Sequence, residues 1–187
     1  MTMTAKYPLA WRILHLLIAA LVLTLIPVGL WMASRAAAGV FDTLTNNLYS
    51  LHKAVGFSVL SLMILRVVFK LSLKAPPYPE SVSRATVLAA KSLHHLLYLL
   101  LIVTPLLGWA GVTAFPALGI TAGISLPAMP FIPQNEDLAT RLFQIHGFFA
   151  ITVAVLLACH ILAALRHLLR RDGVFQRMWF SRRVSDE

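Results

Sequence analysis

Four stretches of this chain are apolar at nearly every position: 11–31, 48–69, 93–112 and 142–165. Each is long enough to cross a hydrocarbon core, which takes about 20 helical residues at about 1.5 Å each. The pattern predicts an all-α integral membrane protein, a four-transmembrane-helix bundle built as a single membrane domain over 1–187. The first stretch is too long for the apolar core of a signal peptide and has no clear cleavage site after it, so it reads as a retained helix. Between the second and third stretches, Lys74-Ala75-Pro76-Pro77-Tyr78-Pro79 ends a helix, because proline has no backbone N–H to give. The segment 111–134 is long, apolar and rich in glycine and proline, which suits either a packed cap or a lid over a site.

Composition agrees with the pattern. Apolar residues make up 59% of the chain and charged ones 12%, half the share expected of a soluble domain. The net charge of +9 raises a nucleic-acid reading, which the placement of the charges excludes. Lys6, Arg12, Lys70, Lys74, Arg84, Lys91, Arg166, Arg170, Arg171, Arg177, Arg182 and Arg183 flank one end of the predicted helices; only Arg35, Lys53 and Arg141 flank the other. That asymmetry is the positive-inside bias and predicts cytoplasmic termini, with 166–187 a basic cytoplasmic tail. Trp11 and Trp179 suit the inner interface, Trp31 and Trp109 the outer one. Within 170–180, Phe175, Met178, Trp179 and Phe180 lie among arginines, as in a segment resting on anionic lipid. The single cysteine, Cys159, reads as a small packing residue, and no Cys-x-x-Cys-His offers covalent haem attachment.

The histidines carry the chemistry. Ionisable groups inside membrane spans are costly and point to function. His146 and His160 are fourteen residues apart on the fourth helix, so they share a face to within about 40° and are separated by about 21 Å. His15 lies about one turn into the first helix, at the depth of His160. His52 lies about one turn into the second, at the depth of His146. Two opposed pairs result: His15 with His160 near the cytoplasm, His52 with His146 near the outside. Iron of haem takes two axial imidazoles, and bundles host such groups between facing helices. Zinc or copper would need further ligands, and no Cys or carboxylate stands beside either pair. Gly56, one turn from His52, leaves space for a flat ring; Gly29 and Gly108 hold the fourteen-residue relation to His15 and His94 and read the same way, or as ordinary packing glycines. Arg66, fourteen residues after His52, points at the inner pair and suits a haem propionate; the alternative is a snorkelling arginine.

These residues resemble the bacterial cytochrome b561 family, which includes superoxide oxidases and is related to b-haem subunits of nickel-iron hydrogenases. The resemblance rests on Arg12-Ile13-Leu14-His15, His52-Lys53-Ala54-Val55-Gly56, Arg66 before Pro76-Pro77, His94-His95-Leu96-Leu97-Tyr98 with Pro105 and Gly108, and His146, His160 and His167. It implies two haem b groups held by the same four histidines in a bacterial inner membrane. It also implies electron exchange with ubiquinone, with superoxide as donor in one branch. His94 and His167 are expected beside the inner haem as quinone and proton residues, because histidine changes charge near neutral pH; the alternative is histidines facing lipid headgroups. No residue is assigned a catalytic role beyond these. The competing functions are a membrane anchor carrying electrons for a separate dehydrogenase or periplasmic redox partner, and a haem-free transporter.

Overall fold

The structure, a computed structural model, describes residues 6–121 and 123–180; Arg182 and Arg183 of the basic tail lie outside them. Four helices make up the body: α1 (Leu9–Ala37), α2 (Thr43–Ser72), α3 (Arg84–Ala114) and α4 (Glu136–Arg170). All four are long and apolar enough to cross a membrane. Each overruns its apolar stretch at both ends, and the starts of α2, α3 and α4 are set by polar caps and not by the first apolar side chain. Asp42, Ser83 and Asn135 accept hydrogen bonds from the backbone N–H groups of Thr45, Thr86 and Leu138, the capping geometry that satisfies a helix's first orphan donors. Glu136 and Asp137 add negative charge to the first turn of α4, where the helix dipole favours it. At its far end α4 stops at Arg171, in the left-handed conformation, followed by Gly173 at φ +86°. The 35 residues of α4 would measure about 52 Å, well beyond the hydrocarbon thickness.

The Asp42 cap carries a pH dependence. Its carboxylate accepts from Thr45 N–H at 2.9 Å and from Arg35 at 2.5 Å. The Thr45 backbone bond first, and Arg35 second, hold its pKa down at about 2 against an ordinary 3.8. A depressed carboxylate pKa contributes stability that is complete above the ordinary value and is lost as pH falls through the folded one. Thermal unfolding in detergent should therefore show this contribution disappearing between about pH 4 and pH 2. Asp42→Asn, which keeps the cap without the charge, should be flat across that window.

Helix α1 packs on α2, α2 on α3, and α3 on α4. Helix α4 meets the bundle chiefly through α3, leaving a cleft between α4 and the α1–α2 pair. A cluster of Leu14, Ile18, Val22, Val59, Met63, Leu100 and Val153 fills the middle of the bundle. Val153 lies seven residues from both His146 and His160. This apolar layer thus separates two levels of the molecule. Outside it, leucine, isoleucine and phenylalanine side chains are exposed on all four helices, as lipid-facing surfaces require.

The 111–134 connection is a packed cap. It contains a short antiparallel hairpin, β1 (Gly119–Thr121) and β2 (Ile124–Ser125), which alternating polarity did not announce. Lys53 of α2 donates to the carbonyls of Ala117 and Gly119; Trp109 Nε1 donates to Pro127 O at 2.7 Å; Met129 N–H donates to Thr113 Oγ1 at 3.0 Å. At the opposite end, a 3₁₀ turn (Phe175–Arg177) folds back beneath the helices.

Two interfacial expectations and one packing expectation change here. Trp11 is buried and its ring meets Tyr7 at 4.9 Å, so protein encloses it. Arg177 is 3% exposed: its guanidinium lies 4.3 Å from the Tyr78 ring centre and 5.2 Å from that of Tyr7, and it donates to Pro76 O. A planar cation stacked between phenols with a carbonyl in reach has no need of lipid phosphate. Burial pushes the Tyr7 hydroxyl pKa up, with the Arg177 charge opposing it. Cys159, expected to be packed, is exposed on the outer face of α4.

Candidate functional site

Two pairs of imidazoles bridge the cleft, one on each side of the apolar layer. Rings of His52 (α2) and His146 (α4) lie 6.1 Å apart, centre to centre, with planes at 79°. Rings of His15 (α1) and His160 (α4) lie 6.0 Å apart with planes at 86°. An imidazole nitrogen sits about 1 Å from its ring centre and bonds a metal at about 2 Å, so two rings sharing one metal have centres about 6 Å apart. Both pairs have that spacing. Among the described residues no group of three or more His, Cys, Asp or Glu side chains offers a metal a shell of its own.

In the outer pair, His146 Nδ1–H donates to Thr104 O at 2.8 Å. That bond fixes the tautomer and leaves Nε2 as the basic nitrogen, the arrangement usual for metal-bound imidazole. Gly108, one turn beyond Thr104, makes the approach possible: a Cβ there would lie 3.1 Å from His146 Nδ1 and Cε1. Gly29 of α1 does the same for His52, where a Cβ would lie 3.0 Å from Cε1. These two glycines seat the imidazoles themselves, a closer role than clearing space for a flat ring. Gly56 is different, with no atom within 4 Å of where its Cβ would stand. Nδ1 of His52 is buried without a hydrogen-bond partner among the described residues.

The inner pair opens on a cavity of about 240 Å³ lined by His15, Arg66, His94, Tyr98, His160 and Phe175, among others. Arg66 is buried at 7% exposure, its guanidinium 5.6 Å from the Tyr98 ring centre, and its Nη1 has no partner among the described residues. A buried guanidinium with a spare donor is a seat for an anion, since such a group is costly unless paired. Lys70 Nζ also lies over the Tyr98 ring, 4.5 Å from its centre. Paired imidazoles at metal-sharing distance, a buried cation with a spare donor and the open side of Gly56 together fit a haem with carboxylate substituents.

The remaining histidines divide. His94 joins the inner pair, its ring 5.1 Å from that of His160, and its Nδ1–H donates to Ala90 O at 2.5 Å. His95, its neighbour, is exposed. His167 Nδ1 meets Asp172 Oδ2 at 2.6 Å, and Asp172 Oδ1 accepts from Val174 N–H at 3.1 Å. Asp172 escaped the sequence reading because its meeting with His167 depends on the chain turning at Arg171. Tyr98 had a visible signal, standing one helical turn after His94.

Comparison with known proteins agrees with this chemistry. The family model described as prokaryotic cytochrome b561 matches residues 6–181. The chain is 29% identical over 177 residues to cytochrome b561 homolog 2 of Escherichia coli (strain K12), covering 92% of this chain and 90% of that protein. It is 30% identical over 129 residues to the probable superoxide oxidase CybB of Yersinia pestis, covering 68% and 72%.

Proposed function

Because this chain belongs to the prokaryotic cytochrome b561 family, a family of membrane b-type cytochromes that transfer electrons, we propose that it carries electrons across the bacterial inner membrane between two haem b groups and exchanges them with ubiquinone. One observation carries the reading: two imidazole pairs with centres 6.0 and 6.1 Å apart, on opposite sides of an apolar layer. Haem b, when bound, supplies reversible one-electron chemistry.

The chain's own residues would divide the work. His15 and His160 hold the inner iron, His52 and His146 the outer. Arg66 receives a propionate and Gly56 leaves room for the ring. The layer of Ile18, Val22, Met63 and Val153 keeps water out between the levels. His94 and His167 serve ubiquinone at the inner end, where the carboxylate of Asp172 orients the His167 ring for proton exchange. Both described ends of the chain and the 76–78 connection meet at that end, along with the basic flanks, which supports its being cytoplasmic. The likeness to a probable superoxide oxidase supports superoxide as the donor, acting at the outer end.

The test is detergent-purified full-length protein. Pyridine haemochrome quantitation should give two haems per chain. The oxidised protein should show highly anisotropic low-spin EPR signals, because both pairs of ring planes are near perpendicular. Ubiquinone reduction on addition of superoxide should be lost in His167→Ala with both haems retained. One haem per chain would overturn the two-site reading, and rhombic spectra typical of parallel rings would overturn the perpendicular ring geometry within it; full quinone reduction by His167→Ala would remove that residue from it.

A further inference from the structure

The two sites are not equivalent, and α3 makes the difference. Fourteen residues separate His94 from Gly108, so the same face of α3 reaches both levels. At the outer level it presents a glycine, against which His146 is seated. At the inner level it presents an imidazole, 5.1 Å from His160 and edge-on to it at 85°. The inner site therefore has three imidazoles where the outer has two.

We propose that His94 is a reserve axial ligand of the inner site, able to take the iron position of His160. The inference rests on the two-haem reading above. Three observations carry it. His94 stands on the α4 side of the site: its ring contact is with His160, and no ring contact joins it to His15 among the described residues. Its Nδ1–H is committed to Ala90 O, so the nitrogen left basic is Nε2, as in His146 with Thr104 O. That anchor lies one turn back on the same helix, so it holds whatever happens to α4. Exchange makes one iron–nitrogen bond and breaks another, with no change in electron count.

The experiment compares His160→Ala, His94→Ala/His160→Ala and His146→Ala with wild type, using haem content per chain and EPR spin state of the oxidised protein. His160→Ala should keep two haems per chain, both six-coordinate and low-spin, with one signal shifted. The double variant should lose one haem or turn it high-spin. His146→Ala should do likewise, having no third imidazole. An inner haem lost or high-spin in His160→Ala overturns the proposal, as do two low-spin haems surviving in the double variant. Should His160→Ala fail to fold, His160→Gln keeps the side-chain volume and is read in the same way. Fewer than two haems in wild type would instead overturn the two-haem reading, so the two failures are distinguishable.

Discussion

Replacing His146 by alanine is expected to halve the haem content of the purified protein, from two per chain to one. The site around it has no substitute. His52 faces His146 across 6.1 Å with no other imidazole in ring contact among the described residues, and the neighbouring wall is the bare backbone of Gly108. The loss should also be reproduced indirectly. Gly108→Val would put a Cβ 3.1 Å from two atoms of the His146 ring, with two methyls beyond it, so the ring must give way and its bond to Thr104 O is disturbed. Mutation of such supporting contacts typically costs 10- to 100-fold in metal affinity, so Gly108→Val should lose the outer haem on dilution or gel filtration while the inner one stays. His146→Ala protein with two low-spin haems would mean that another group ligates the outer iron.

The levels of the molecule are legible in the chain; the ends of its helices are not. A fourteen-residue interval is nearly four helical turns, so His146 and His160, or His52 and Arg66, share faces by arithmetic alone. Which histidines share a level follows from depth, since every span begins at a membrane surface. The helix ends were harder. Asp42, Ser83 and Asn135 are polar residues before apolar stretches, yet they stand several residues earlier than the first strongly apolar position, and hydropathy weighs them as loop. Arg177 shows a different obstacle. Its partners Tyr7, Tyr78 and Pro76 are distant in the chain, and only closure of the whole bundle brings them together. In sequence it is one more arginine among aromatic residues, and a lipid surface is the natural reading. His94 was visible as a candidate, but its side of the site was not, because that depends on the rotation of α3 against α4. The cap over the outer end is legible only as glycine and proline; that Lys53 pins it by two carbonyls requires the fold.

Arg66→Met is expected to move two measurable quantities in opposite directions. Arg66 is a buried cation, 7% exposed, with Nη1 unpartnered among the described residues and Tyr98 as its neighbour. Replacing a poorly compensated buried charge by an apolar side chain of similar volume is commonly neutral or stabilising, by about 1–4 kcal/mol. The haem-free variant should therefore unfold at the same or a higher temperature than the haem-free wild type. With haem bound the sign reverses. A guanidinium–carboxylate hydrogen bond contributes about 1.5–3 kcal/mol, so losing it should weaken retention of the inner haem about 10- to 150-fold. Loss of a nearby positive charge also disfavours the electron-bearing state, and the inner reduction potential should fall, with about 59 mV for each tenfold change in the one-electron equilibrium. Arg66→Lys separates the causes, keeping the charge and much of the potential while losing the planar fork. A snorkelling arginine predicts neither effect, because its head would already be in water. Unchanged haem retention and potential in Arg66→Met would therefore assign Arg66 to its stack on Tyr98 alone and leave the inner site without a propionate anchor on α2.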